Sequence, residues 1–264
     1  MACRLGVVLS KQERTGVIEI ELNKIYNEDC LEGMKRIPDK SVDMILCDLP
    51  YGTTACKWDT IIPFEPLWEQ YERIIKDNGA IVLTASQPFT TKLIASNLDL
   101  FRYEMIWGKT LASNFFMANK QPLKKHENIC LFYKKQPVYN PQMEKGKPYT
   151  DKRSIKKRTS GVMGGEVAPK TDIVNKGERF PSSIQVFSNG NNHSVHPTQK
   201  PVDLFEYLIK TYTNKGETVL DNCIGSGTTA IACLNTNRNF IGFELDKGYF
   251  DIAAGRIETY KHSL

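Results

Sequence analysis

The stretch VLDNCIGSGTTAIACL, residues 219–234, constrains the fold more than any other part of this 264-residue chain. A short apolar run ends at Asp221, Gly225 and Gly227 follow within one turn, and a run of helical period starts behind them. Gly225, Gly227 and Ala230 form a G-x-G-x-x-A, and Glu244 closes the next apolar run about twenty residues on, the spacing of a dinucleotide-binding unit. Glycine at these positions lets the backbone approach a ligand closely. An acid at the end of the second strand can hydrogen-bond ribose hydroxyls. No Gly-Lys-Ser/Thr follows, so the loop is not a phosphate P-loop.

Such a unit usually opens a doubly wound sheet. Here it comes near residue 220, with room for only one more strand. The remaining strands must come from the N-terminal half, so the expected fold is α/β: a circularly permuted Rossmann-like domain, a mainly parallel twisted sheet with helices on both faces. The N-terminal half has the required alternation. One or two short strands are expected in GVIEIELNKIYNED (16–29), a short helix in CLEGMKRIPDKS, and a buried strand in VDMILC. EPLWEQYERIIKDNG reads as a helix closed by Asn78-Gly79, AIVLTA as a strand, FTTKLIASNL as a helix, and YEMIWGK and NICLFYKK as two more strands. After the break described next, PVDLFEYLIKTYT reads as a helix with Pro201 at its start.

Between residues 136 and 192 the periodicity fails. Prolines, the KRSIKKR run, GVMGG and SNGNNHS fill the segment. A structureless loop of that length is unusual in a compact domain, so an inserted module or a lid that orders on binding is expected. The division is then 1–135, 136–192 and 193–264. Residues 134–179 hold twelve Lys/Arg against five Asp/Glu, more than the whole chain's net charge of +5. Concentrated positive charge of this kind suits a polyanion. Within it, Lys152, Arg153, Lys156, Lys157 and Arg158 form the densest run. No apolar run approaches a membrane span, and the N-terminus is charged too early for a signal peptide, so a cytosolic location is expected. Seven cysteines without a C-x-x-C pair fit free thiols, and the four histidines lack metal-ligand spacing, so no metal site is expected.

The stretch VDMILCDLPYGTTACKWD, residues 42–59, ends a buried strand in Asp48-Leu49-Pro50-Tyr51-Gly52. A carboxylate beside a rigid turn and an aromatic ring is costly there unless something docks. In doubly wound sheets ligands bind outside the carboxyl ends of the strands. That rule brings this turn close to the glycine loop, Glu244 and Asp29.

Taken together these motifs resemble the amino-methylating DNA methyltransferases of the permuted β group. DLPY is similar to their catalytic tetrapeptide, usually Asp/Asn/Ser-Pro-Pro-Tyr/Phe. LDNCIGSGTT resembles their S-adenosylmethionine loop, HPTQKP (196–201) the segment before that loop, and HENICLFYK one of their late strands. The resemblance covers roughly residues 23–260 and departs from the family where Leu49 replaces the first proline.

The resemblance implies roles. Asp48 and the Leu49 carbonyl would accept the two N–H bonds of an exocyclic amine, Pro50 would stiffen the turn, and Tyr51 would stack on the flipped-out base. S-adenosyl-L-methionine is the implied cofactor. Glu244 would bind its ribose, and Asp29 and the Cys30 backbone its adenine. Asp221, Gly225 and Gly227 would shape the methionine end, with Thr198 and Lys200 near the carboxylate. Trp58, Phe115 and Phe116 are expected in the core rather than the site. The implied partner is double-stranded DNA, recognised through residues 136–192, with no membrane; homodimerisation and a restriction endonuclease partner are left open. The aspartate in first position favours adenine N6, and serine there is the commoner sign of cytosine N4. Rival expectations are an N4-cytosine enzyme, a catalytically silent DNA-binding subunit and, on the glycine spacing alone, a nicotinamide dehydrogenase.

Overall fold

The computed structural model describes residues 20–53, 59–151, 173–189 and 199–262. In chain order the first elements are β1 (Lys24–Tyr26), α1 (Cys30–Met34), β2 (Val42–Asp48), α2 (Phe64–Ile74), β3 (Ile75–Ala85), α3 (Phe89–Ser96), β4 (Phe101–Ser113) and β5 (Lys124–Phe132). Five short strands follow: β6 (Glu144–Lys145), β7 (Tyr149–Asp151), β8 (Ile173–Asn175), β9 (Glu178–Arg179) and β10 (Ile184–Phe187). The chain closes with α4 (Val202–Tyr212), β11 (Thr218–Asp221), α5 (Thr228–Thr236), β12 (Asn239–Phe243) and α6 (Lys247–His262).

Eight strands form one sheet in the order β1-β12-β11-β2-β3-β5-β4-β10. All neighbours are parallel except those of β5, which runs antiparallel to both β3 and β4. The late strand β11 sits centrally, between β12 and the early strand β2. This is the permuted, doubly wound sheet that the position of the glycine unit requires.

Strand alternation divides the core in two. Ile45 and Cys47 of β2, with Ile81 and Leu83 of β3, pack against α1, α2 and α3. Met44 and Leu46, with Ala80 and Val82, pack against α4, α5 and α6. Because both faces are covered, VDMILC reads as a continuous apolar run and not as an alternating one. Among the described residues no helix is long and apolar enough to cross a membrane.

One expectation needs correction. Asn78-Gly79 does not close a helix. Helix α2 ends at Ile74, Ile75 is already extended (ψ 138°), and Asn78 and Gly79 lie inside β3. The register against β2 slips there, from Val42↔Ile75 to Met44↔Ala80. A Cβ on Gly79 would come within 2.8 Å of the Asp43 carbonyl, so this glycine serves a close strand approach. Residues 136–192, where periodicity fails and an inserted module or a lid was expected, hold short strands. Antiparallel pairs β6–β9 and β7–β8 form two small ribbons, and β10 extends the main sheet by pairing with β4. Residues 152–172, which hold the basic run, and 190–198 lie outside the described residues.

Candidate active site

A cavity of about 950 Å³ opens along the carboxyl edge of the sheet. Its walls include Asp48–Tyr51 after β2, Asp221–Ser226 after β11, Glu244 after β12, and Asp29 and Cys30 after β1. Strands β11 and β2 are neighbours whose chain connections lead to opposite sides of the sheet, which leaves a crevice between their ends. The glycine loop and the DLPY turn, far apart in sequence, thereby share one cavity.

On the glycine-loop side, Gly225 and Gly227 have φ of +53° and +85°. L-residues with a Cβ rarely adopt such values. A Cβ on Gly227 would lie 3.2 Å from the Ala253 Cβ, so this glycine also admits α6. A Cβ on Gly225 would meet nothing nearer than the Cys223 carbonyl, at 4.0 Å. The Glu244 carboxylate spans the loop, accepting from Gly225 N at 2.9 Å and Asp246 N at 2.8 Å. Burial raises its pKa above the ordinary glutamate value. Asn27 ties the ends of β1 and β12 by donating to the Glu244 and Leu245 carbonyls. Asp29 caps α1, accepting from Leu31 N at 2.8 Å and Glu32 N at 3.3 Å. Asp221 is buried; it accepts from Cys223 N at 3.0 Å and from the Thr229 hydroxyl. Burial pushes its carboxyl up to about 7.

On the other side, Asp48 is held through both oxygens. Its Oδ1 accepts from Tyr51 Oη at 2.8 Å and from the Thr84 hydroxyl. Its Oδ2 accepts from Lys200 Nζ at 2.6 Å. Leu49, where a proline was expected, is buried in the core on the α1–α3 face, which gives the substitution a packing reason. The Tyr51 ring stacks on Phe89 at 5.1 Å, and Lys200 Nζ lies 5.6 Å from its centroid. Burial raises the Tyr51 pKa well above the ordinary tyrosine value. Gly52 takes a positive φ, +66°, and Asp59 clamps the turn by accepting from Gly52 N and Thr53 N, both at 2.8 Å.

Lys200 is the joint between the two sides. Its carbonyl accepts from Thr228 at the start of α5, and Gln199 beside it accepts from Ser226 of the glycine loop. Its ammonium turns to Asp48 and also lies 3.4 Å from Glu127 Oε2. Glu127 Oε1 accepts from Lys109 Nζ at 2.5 Å. Burial would raise the Glu127 pKa, but the ammonium groups of Lys200, Lys109 and Lys124 outweigh it and hold the carboxyl below its ordinary value. Burial would equally depress Lys200, but Asp48 and Glu127 overcome it and its pKa ends above the lysine norm.

Asp29, Cys30, Asp48, Leu49, Pro50, Tyr51, Lys200, Asp221, Gly225 and Glu244 all line the cavity, and Gly227 heads α5 at its edge. Thr198, Trp58, Lys152, Arg153, Lys156, Lys157 and Arg158 lie outside the described residues. Phe115 and Phe116 are not core residues: they sit in a 3₁₀ turn at the tip of the β4–β5 hairpin, 66% and 86% exposed, beyond either sheet face. Sequence reasoning passed over Glu127, Lys109, Thr84 and Asp59. The available signal was HENICLFYK, where a charged residue opens an otherwise apolar strand.

Residues 42–255 match the family described as DNA methylase. Type II methyltransferase M.BglII of Bacillus subtilis is 32% identical over 257 residues, covering 88% of this chain and 68% of the relative. Among solved structures, the M1.HpyAVI–SAM complex superimposes with a TM-score of 0.59 at 24% identity, covering 88% of this chain and 98% of the other. PvuII DNA methyltransferase (cytosine-N4-specific) superimposes with a TM-score of 0.65 at 15% identity, covering 90% and 87%. At those identities the structural likeness speaks for the fold. Together with the family match and the relative in Bacillus subtilis, the shared cavity of glycine loop and DLPY turn has one explanation: this chain belongs to the DNA methylase family, the S-adenosylmethionine-dependent N6/N4 amino-methyltransferases.

Proposed function

We propose that this enzyme methylates the exocyclic N6 of adenine in double-stranded DNA, on a base swung out of the helix, as the modifying half of a Type II system like its relatives. The observation that carries the reading is Asp48 at the end of β2, opening onto the same cavity as Gly225 and Glu244. An aspartate in first position of the tetrapeptide supports adenine over cytosine.

The residues present fit S-adenosylmethionine. Gly225 offers backbone with open space in front of it, and two carboxylates that line the cavity, Glu244 and Asp29, are acceptors of the kind a nucleoside's hydroxyl and amino groups need. Glu244, Asp29 and Cys30 would hold the nucleoside end; Asp221, Gly225, Gly227 and Thr198 would hold the methionine end. When bound, the cofactor supplies an electrophilic methyl group on a sulfonium.

The chain's own residues supply the rest. Asp48 and the Leu49 carbonyl accept the amine's two N–H bonds, which holds the nitrogen in place and raises its electron density. Tyr51 gives the base a stacking face worth roughly 1–3 kcal/mol, comparable to the few kcal/mol that flipping costs. Holding two reactants in one geometry can supply roughly 7–11 kcal/mol of the barrier. Residues 136–192, with the basic run at 152–158, serve as the DNA-recognition region.

The test is chemical. DNA methylated by the enzyme is digested to nucleosides and separated by mass, and N6-methyldeoxyadenosine is expected. N4-methyldeoxycytidine alone would overturn the choice of base. Asp48→Ala should lose turnover by orders of magnitude and still bind S-adenosylmethionine by calorimetry; near-native turnover would overturn the assignment of Asp48.

A further inference from the structure

Asp48 as it stands has little left to offer an incoming amine. Oδ1 accepts two hydroxyls, from Tyr51 and Thr84, and Oδ2 accepts the Lys200 ammonium at 2.6 Å. An exocyclic amine that is to donate to Oδ2 must compete with Lys200. Lys200 is only 7% exposed, so its ammonium cannot simply turn to water. A buried ammonium must keep a carboxylate or pay a large desolvation cost.

The second carboxylate is already in place. Glu127 is 8% exposed, and its Oε2 lies 3.4 Å from Lys200 Nζ. That oxygen is buried and makes no hydrogen bond to a described residue. A buried carboxylate oxygen with an ammonium at ion-pair distance but no hydrogen bond is unusual and calls for a reason. Its partner oxygen, Oε1, is tied by Lys109 at 2.5 Å, so Glu127 keeps its orientation whether or not Lys200 binds it. Lys200 thus stands between two acceptors, hydrogen-bonded to Asp48 Oδ2 and within ion-pair distance of Glu127 Oε2.

We propose that Glu127 is a positioning residue for methyl transfer: it receives the Lys200 ammonium when the target amine takes its place on Asp48 Oδ2. The swap moves Nζ away from Asp48 Oδ2, now at 2.6 Å, and toward Glu127 Oε2, now at 3.4 Å, with the carboxylates themselves held by Thr84, Tyr51 and Lys109. Charge inside the site is conserved throughout. Asp48 stays oriented before the base arrives and gains a free acceptor position once it does. The proposal rests on the assignment of Asp48 as the amine's acceptor.

Glu127→Gln tests it. The amide keeps the shape and an acceptor for Lys109, but presents N–H donors to Lys200 in place of Oε2. Lys200 then has no second carboxylate and stays on Asp48. The kcat should fall about 100-fold, while the Kd for S-adenosylmethionine and the KM for DNA stay within about twofold. Lys200→Gln and the double variant complete a cycle. If Glu127 acts through Lys200, Glu127→Gln costs nothing further once Lys200 is gone, so the double variant turns over no more slowly than Lys200→Gln alone. Cofactor affinity also reports that each variant is folded. Native kcat in Glu127→Gln, or losses that multiply in the double variant, would overturn the proposal. Wild-type enzyme without methyl transfer, or an active Asp48→Ala, would instead remove the assignment on which it stands.

Discussion

The Lys200 ammonium lies 2.6 Å from Asp48 Oδ2, joining residues 152 positions apart in the chain. The segment before α4 thereby reaches across the cavity from the glycine loop to the DLPY turn. The family resemblance implied a place for Lys200 near the methionine carboxylate; here its ammonium faces the Asp48 carboxylate. The two placements differ in what Lys200→Met should do. If Lys200 serves Asp48, turnover collapses and cofactor affinity hardly changes. Removing it also strips Asp48 of its ammonium partner and leaves Glu127 with Lys109. Loss of one partner from a buried pair costs about 3–5 kcal/mol, with the low end expected because Asp48 is partly exposed. Urea denaturation and cofactor calorimetry on the same variant measure both.

The two loop glycines should respond differently to alanine. Gly227→Ala forces φ +85° on a residue with a Cβ and drives that Cβ to 3.2 Å from Ala253. A stability loss of about 1–2 kcal/mol is expected from the backbone alone, with α6 pushed outward in addition. Gly225→Ala has the milder φ, +53°, and open space. It should lose about 1 kcal/mol of stability. Because Gly225 lines the cavity, its larger effect should be on cofactor affinity. Thermal melts with and without S-adenosylmethionine separate the two cases.

Asp221 gives a pH signature. Its folded pKa, raised to about 7 by burial, stands above the unfolded value of about 4. The folded state therefore binds the proton more tightly. The stabilisation is complete below about pH 4 and is lost as pH rises through about 7. Asp221→Asn removes the titration and keeps a side chain able to pair with Cys223 N and Thr229. Relative to wild type, the variant's stability should fall less between about pH 4 and pH 7, by a few kcal/mol. Denaturation midpoints across that range check the sign; a steeper loss in the variant would reverse it.

The basic run is testable through salt. If Lys156, Lys157 and Arg158 follow the DNA backbone, each phosphate neutralised adds roughly 0.9 to the slope of log affinity against log salt. Replacing all three by alanine should weaken binding to cognate and scrambled duplexes alike and flatten that slope. The methylated site should stay the same, because phosphate contacts position and base contacts specify. An unchanged slope would mean that the run does not touch DNA.

Much of this protein was determined by the sequence alone, because the signals are local. Two glycines between an apolar strand and a helix, an acid at the end of each of two strands, and D-x-P-Y after a third are readable within a few residues, and their order along the chain requires the permuted sheet. Gly79 shows the limit of local reading: Asn-Gly is a helix stop by composition, yet here the pair lies inside β3, where the neighbouring strand comes too close for a Cβ. The charged cluster at the site was decided only in three dimensions. Strand β5 turns back from β4 at a hairpin where Asn114 takes a left-handed conformation, so its first residues lie at the edge where the parallel strands end. That reversal carries Glu127 to the carboxyl edge, next to Asn128, which pairs with Ala85, and Lys200, just before α4 on the other face, meets it there. Neither residue has a periodic or motif signal for its partner, since the contact depends on strand direction and sheet order. Burial then makes the pairing obligatory, because an ammonium and a carboxylate removed from water must find each other.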